Sequence, residues 1–156
     1  MRNMKEALRE LQGKIGYQFQ NDALLKQALT HSSFSNERKI NKLNNYERLE
    51  FLGDAVLELV SSEFLYNENE DMPEGQLTRL RASMVCEPAL AYCARDISLN
   101  TYILLGKGEE STGGRTRDSI ISDVMEAVIG AIFLDGGLEN AKKFIDRFVL
   151  SDLEDK

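Results

Sequence analysis

The chain is predicted to be an all-α domain, on three observations. Apolar residues recur every three or four positions along several segments, and no segment sustains the alternation expected of strands. Both prolines, Pro73 and Pro88, stand where a helix can open. The glycines Gly106, Gly108, Gly113 and Gly114 fall in the least regular stretch, Ser98 to Asp118.

The elements follow in order. Residues 4–12 form a first short helix, and KIGYQF is a connection with aromatic anchors. Asn21 caps a second helix, with Asp22 in its first turn and Leu24, Leu25, Ala28 and Leu29 turned inward, ending near His31. Ser32 to Asn44 reads as a polar, cationic surface loop. Asn44, with Glu47 three residues on, signals the start of a helix over 45–66. After a break at Asn67 to Met72, Pro73 starts EGQLTRLRASMV, with Leu77, Leu80, Met84 and Val85 inward and Arg79 outward. Pro88 opens a helix through about Asp96, and Thr101 to Leu105 could be briefly extended. Ser119 to Leu134 is a nearly all-apolar helix closed by Asp135-Gly136-Gly137, and a last amphipathic helix covers Leu138 to Leu150. Residues 1–150 are read as one domain and 151–156 as the start of a linker or tail.

Composition narrows the function classes. Apolar residues make up 42% of 156, enough for a core, yet no run approaches the length of a membrane span. The N-terminal MRNMKEALRELQ is amphipathic and carries acids, unlike a secretory signal. Cys86 and Cys93 suit buried, reduced thiols on one helix face, so the expected location is the cytoplasm. A net charge of −7 argues against indiscriminate nucleic-acid binding, although an enzyme that gathers carboxylates for cations also looks acidic by count.

The chemistry lies in two helices. Glu47, Glu50 and Asp54 are three and then four residues apart, which puts them on one helix face, and Glu58 extends the stripe. Leu49, Leu52, Ala55, Val56, Leu59 and Val60 are expected on the opposite, buried side. Gly53 and Asp54 are poor helix formers in mid-helix, which suggests close backbone approach at Gly53 and a specific task for Asp54. Far downstream, Asp123 and Glu126 share a face with Gly130 inside the apolar helix. Carboxylates buried there need protons, salt bridges to residues such as Arg79 or Arg81, or a metal. With Glu50 and Asp54 also directed inward, a divalent metal neutralises the four most simply. The lone His31 stands in no Glu-x-x-His motif and no cysteine–histidine cluster exists for zinc, so an all-oxygen site for Mg²⁺, or Mn²⁺ in its place, is expected.

ERLEFLGDAVLELV, Glu47 to Val60, resembles the signature of the ribonuclease III endonuclease domain. THSSF, EGQLTRLRASMV, LGKGEESTGGRTRDSI and SDVMEAVIGAIFLD agree with it in order and spacing. The resemblance covers nearly the whole chain and implies an all-helical fold, an obligate homodimer and Mg²⁺-dependent cleavage of double-stranded RNA. It further implies 5′-phosphate and 3′-hydroxyl ends with two-nucleotide 3′ overhangs, in the processing of rRNA and mRNA precursors. Carried over by position, the metal-site acids are Glu50, Asp54, Asp123 and Glu126. Accessory acids fall on Glu47 and Glu74, whose competing reading is helix-start residues that complement the dipole. Phe51 matches the aromatic residue that family dimers insert into the partner; a core phenylalanine is the alternative. Lys107, Arg115 and Arg117 are expected to meet RNA phosphates, by charge and exposure. GKGEESTGG reads as a flexible loop rather than a phosphate-cradling one, and His31 as a helix-end hydrogen-bonding residue. Tyr46 stands where many members have asparagine. No double-stranded RNA-binding domain follows residue 150 in this chain, so RNA affinity is expected to be weak and steeply salt-dependent. A non-catalytic RNA-binding module on the same fold, or a helical metal binder unrelated to RNA, are the rival classes.

Overall fold

A computed structural model describes residues 3–39 and 41–151. It is helical throughout: α1 Met4–Ile15, α2 Asp22–Ala28, α3 Ser32–Glu37, α4 Glu47–Glu68, α5 Glu74–Val85, α6 Glu87–Asp96, α7 Lys107–Ser111 and α8 Asp118–Ile145. Among the described residues, extended pairing is confined to one parallel bridge, Thr30 with Leu104. None of these helices is long and apolar enough to cross a membrane. Residues 152–156, part of the expected tail, lie outside the described residues.

The core is built around α8. Ile121, Val124, Met125, Val128, Ile129 and Ile132 are all fully buried there, because α8 is apolar on nearly every side and α2, α4 and α6 pack on it. The helix breaks at Gly137 (φ 85°, ψ 175°), where Asp135-Gly136-Gly137 was expected to close it, and a π-type turn, Asp146–Leu150, ends the described chain. The Asp135 carboxylate at the break accepts from the Tyr17 hydroxyl at 2.6 Å and from the backbone N–H groups of Gln20 and Asn21 at 2.8 and 2.9 Å. It thereby ties the α1–α2 connection to α8. Burial, reinforced by the bond to Asp135, pushes the Tyr17 phenol up to about 12.

Four local expectations are corrected. Ser32–Glu37 is a short helix rather than loop, because the His31 ring caps it by accepting the Ser33 N–H, a role outside the usual Ser, Thr, Asp and Asn signals. The N-cap of α4 is Tyr46, which makes no side-chain capping bond, and the amide that reaches the helix start is that of Asn45, not Asn44: its Oδ1 accepts from Glu47 N at 2.9 Å. The irregular stretch is also more ordered than a flexible loop, holding α7 and two 3₁₀ turns, Leu99–Tyr102 and Gly114–Thr116. Of the two thiols, Cys93 is buried but Cys86 is exposed.

The buried face of α4 is shifted only in part from the one expected: Leu49, Val56 and Val60 lie on it as expected, whereas Ala55 and Leu59 do not. Leu49, Gly53, Val56, Leu57 and Val60 are buried, whereas Leu59 is 57% and Phe51 82% exposed. Packing against α8 takes only part of an apolar arc too wide for one core contact. The remainder forms an uncovered stripe, so Phe51 is not a core residue. On α5 only Met84 is buried, with Leu77, Leu80 and Val85 partly so.

Candidate metal centre

Helices α4 and α8 meet backbone to backbone at two glycines. A Cβ on Gly53 would lie 1.7 Å from the Glu126 carbonyl oxygen, and one on Gly130 2.3 Å from that of Leu49. The glycine in mid-helix was expected to mark close approach, and it does. This contact brings the residue after Leu49, Glu50, opposite the turn that carries Asp123 and Glu126.

The outcome is a half-buried cluster in which Glu50, Asp123 and Glu126 each offer a carboxylate oxygen, all within 4.8 Å of one another. Asp54, one turn further along α4, hydrogen-bonds Glu126 from a more exposed position and is not part of that trio. Glu47 is exposed at the start of α4, and its charge is felt at Glu50. Glu74, at the start of α5, is exposed.

The expected cationic alternative is not realised. Arg81 pairs with Glu58 at 2.9 Å and donates to Ser62, and Arg79 is exposed. No ion pair among the described residues involves Glu50, Asp54, Asp123 or Glu126. Burial raises the Glu126 carboxyl to about 9, helped by the bond to Asp54 and the neighbouring negative charges. Burial and Asp123 raise Glu50 to about 7, and burial raises Asp123 as well. Protons thus stand where a cation would. Half-buried, like-charged, all-oxygen and without a cationic side chain, this donor set fits a hard divalent ion.

A pH dependence follows. Glu126 and Glu50 ionise above the ordinary carboxylate range when folded, so between about pH 5 and 9 the native state holds protons that the unfolded chain has released. Stability of the metal-free protein should therefore fall as pH rises through that window. Glu126→Gln should flatten the fall in thermal melts taken at intervals from pH 5 to 9. Equal slopes for the two proteins would mean that the carboxyl is not proton-loaded.

The cations chosen by charge and exposure are differently disposed. Arg115 is clamped, donating to both Glu110 carboxylate oxygens and to the carbonyls of Asn100 and Ile103, so exposure does not hold for it. Arg117 pairs with Glu109 and donates to the Thr112 carbonyl. Lys107 is exposed at the start of α7. Sequence reasoning missed two neighbours of the cluster. The charge of Glu87, at the start of α6, reaches Asp123, and Tyr46 is buried beside Asp123 and Glu50. Glu87 carries no spacing signal, because it comes from a separate element, whereas Tyr46 is the N-cap of α4 and stands four residues before Glu50.

Comparison with known proteins adds the following. A family profile described as ribonuclease-III-like matches residues 21–153. Ribonuclease 3 of Staphylococcus aureus (strain bovine RF122 / ET3-1) is 53% identical over 141 residues, 90% of this chain and 58% of that protein. Ribonuclease 3 of Listeria innocua serovar 6a is 48% identical over 145 residues, 93% of this chain and 63% of that one. The chain thus spans about three fifths of the length of these curated relatives. The solved nuclease domain of ribonuclease III from Campylobacter jejuni, described for flexibility in a region involved in its dimer formation, superposes with a TM-score of 0.86. It is 42% identical, over 92% of this chain and 96% of that one.

Proposed function

This chain belongs to the ribonuclease-III-like family, and from that premise we propose that it is a metal-dependent endoribonuclease acting on double-stranded RNA. It hydrolyses phosphodiester bonds to leave 5′-phosphate and 3′-hydroxyl ends with two-nucleotide 3′ overhangs. Its substrates are rRNA and mRNA precursors in the cytoplasm. The observation that carries this reading is the convergence of Glu50, Asp123 and Glu126, without a cationic partner, at a glycine-to-glycine helix crossing.

In this reading Glu50, Asp123 and Glu126 hold the ion directly or through water, and Asp54 orients Glu126. The all-oxygen donors select Mg²⁺, with Mn²⁺ able to substitute. When bound, a divalent ion lowers the pKa of a coordinated water and offsets charge gathering on the phosphate. Ionised Glu126 and Glu50 are then required, since a protonated carboxyl is a poor ligand. In the metal-free state the half-buried setting favours protons on them, and a cation would displace those protons on binding. No side-chain nucleophile takes part. Glu47 and Glu74 are accessory acids, and exposed Lys107 is the cation best placed by exposure for phosphate contact.

A second copy of the chain is the proposed partner. Phe51 borders a groove of about 620 Å³ lined also by Leu24, Gln27, Leu49, Leu52 and Leu134. A two-fold arrangement would seat each ring in the other copy's groove and give one cutting site per strand. Phe51→Ala should weaken the dimer by about 3 kcal/mol for each ring withdrawn, read as a shift toward monomer in sedimentation equilibrium. An unchanged monomer–dimer balance would remove Phe51 from the interface.

The function is tested by incubating the chain with a long RNA duplex, and with the matched single strand, in Mg²⁺ and in excess chelator. Cutting confined to duplex with metal is the expected result. Binding of duplex without cutting would favour a non-catalytic module, and Mn²⁺ uptake with no response to duplex would favour a metal binder unrelated to RNA.

A further inference from the structure

The His31 imidazole packs on Tyr46, which is buried beside Asp123 and Glu50, and has no task in the hydrolysis described above. Its Nδ1 accepts the Ser33 backbone N–H at 3.0 Å and lies 2.7 Å from the Ser33 hydroxyl. That hydroxyl oxygen accepts the Gly106 N–H at 2.9 Å, which leaves its own hydrogen for Nδ1. A ring nitrogen that receives a backbone N–H cannot also carry a proton. The hydrogen of the neutral ring is therefore on Nε2. Burial holds the imidazole below its usual pKa, in keeping with a neutral ring.

Nε2 has no hydrogen-bond partner among the described residues, and no described side-chain nitrogen is both buried and unpartnered, so Nε2 is reachable from outside. The ring packs against Tyr46, with centroids 5.7 Å apart, which holds it next to the start of α4. The charges that act on it most strongly are those of Glu109, Glu47, Asp123 and Arg117. The setting thus joins a fixed, neutral donor to a surface otherwise rich in carboxylate acceptors. Duplex RNA brings acceptor oxygens to such a surface, and the carboxylates alone would repel them.

We infer that His31 is a substrate-binding residue whose Nε2–H donates to a sugar–phosphate oxygen of duplex RNA beside the metal centre. This rests on the reading of the chain as a double-strand endoribonuclease. It does not depend on the dipole of the short helix α3, only on the ring that caps it.

Asparagine separates the two roles of the histidine. In His31→Asn the amide oxygen can still cap α3 by accepting the Ser33 N–H, but the outward donor of the ring is gone. Steady-state cleavage of an RNA duplex in Mg²⁺ should show KM raised roughly tenfold with kcat little changed, the mark of an interaction made equally in ground and transition states. The melting temperature and the Mn²⁺ affinity by titration calorimetry should match the parent's. His31→Ser, a second capping residue, should repeat the result and guards against a local failure of the first variant.

Duplexes with 2′-deoxy nucleotides across the cut identify the acceptor. If the substitution raises the parent's KM but leaves that of His31→Asn unchanged, the acceptor is a 2′-hydroxyl; if the two losses add, it is a phosphate oxygen. Parental KM in both variants overturns the inference, as does a loss of Mn²⁺ affinity, which would mean that Nε2–H serves the carboxylates instead. A parent that cuts no duplex at all overturns the nuclease reading itself, a result distinct from either of these.

Discussion

Glu126→Gln is expected to reduce cleavage of duplex RNA by roughly a thousandfold or more, the equivalent of about 4 kcal/mol in the barrier. Glutamine keeps the shape and one oxygen but carries no negative charge, and a hard divalent ion held by few carboxylates depends on each. Glu126 is the most buried of the proposed ligands, and that burial is the first reason its carboxyl stands well above the usual carboxylate range. The fold should be preserved, because the carboxylate makes no ion pair among the described residues and the amide can still bond Asp54. Cleavage and Mn²⁺ affinity should therefore fall together while circular dichroism and the dimer stay as they were. Parental activity in this variant would remove the metal-centre assignment.

Gly53→Ala should produce the largest structural effect. A methyl there would sit 1.7 Å from the Glu126 carbonyl oxygen, 2.6 Å from its carbon and 3.0 Å from Gly130 N. All three are backbone atoms of a buried helix, so no side-chain rotation relieves the clash. The two helices must separate, with a loss of about 3 kcal/mol or more. That is a large fraction of the roughly 5–15 kcal/mol by which domains are stable. The same separation would pull Glu50 away from Glu126, so Mn²⁺ affinity should drop in whatever fraction remains folded. Gly108→Ala is the control, since nothing lies within 4 Å of a Cβ there, and it should change the urea midpoint little. Equal midpoints for the two variants would contradict the close crossing.

How much of this was readable beforehand differs by residue. The spacing of Asp123 and Glu126 within an apolar helix announced carboxylates in need of compensation, and Gly53 announced a close approach. The cap of α3 was hidden because imidazole is not a usual capping group, so a helix was read as loop. Ala55 and Leu59, expected on the buried side, misled periodicity for another reason. A helix that packs on one neighbour and leaves an interface stripe has two apolar sectors, and a sequence pattern does not say which one the core takes. Arg115 carries the same charge whether it is exposed or clamped, and only the positions of Glu110 and the carbonyls of Asn100 and Ile103 decide which.

By itself the sequence determined the helical class, the break after Asp135 and the identity of the acids on each helix. These follow from local rules, in which side-chain direction repeats every 3.6 residues and glycine or proline interrupts the repeat. Tertiary structure alone decided that Glu50 meets Asp123 and Glu126 while Asp54 stands outside that trio. Those outcomes depend on the angle and depth at which two helices separated by some fifty residues cross. The absence of a Cβ at Gly53 and Gly130 sets that depth, a distance that no local pattern encodes.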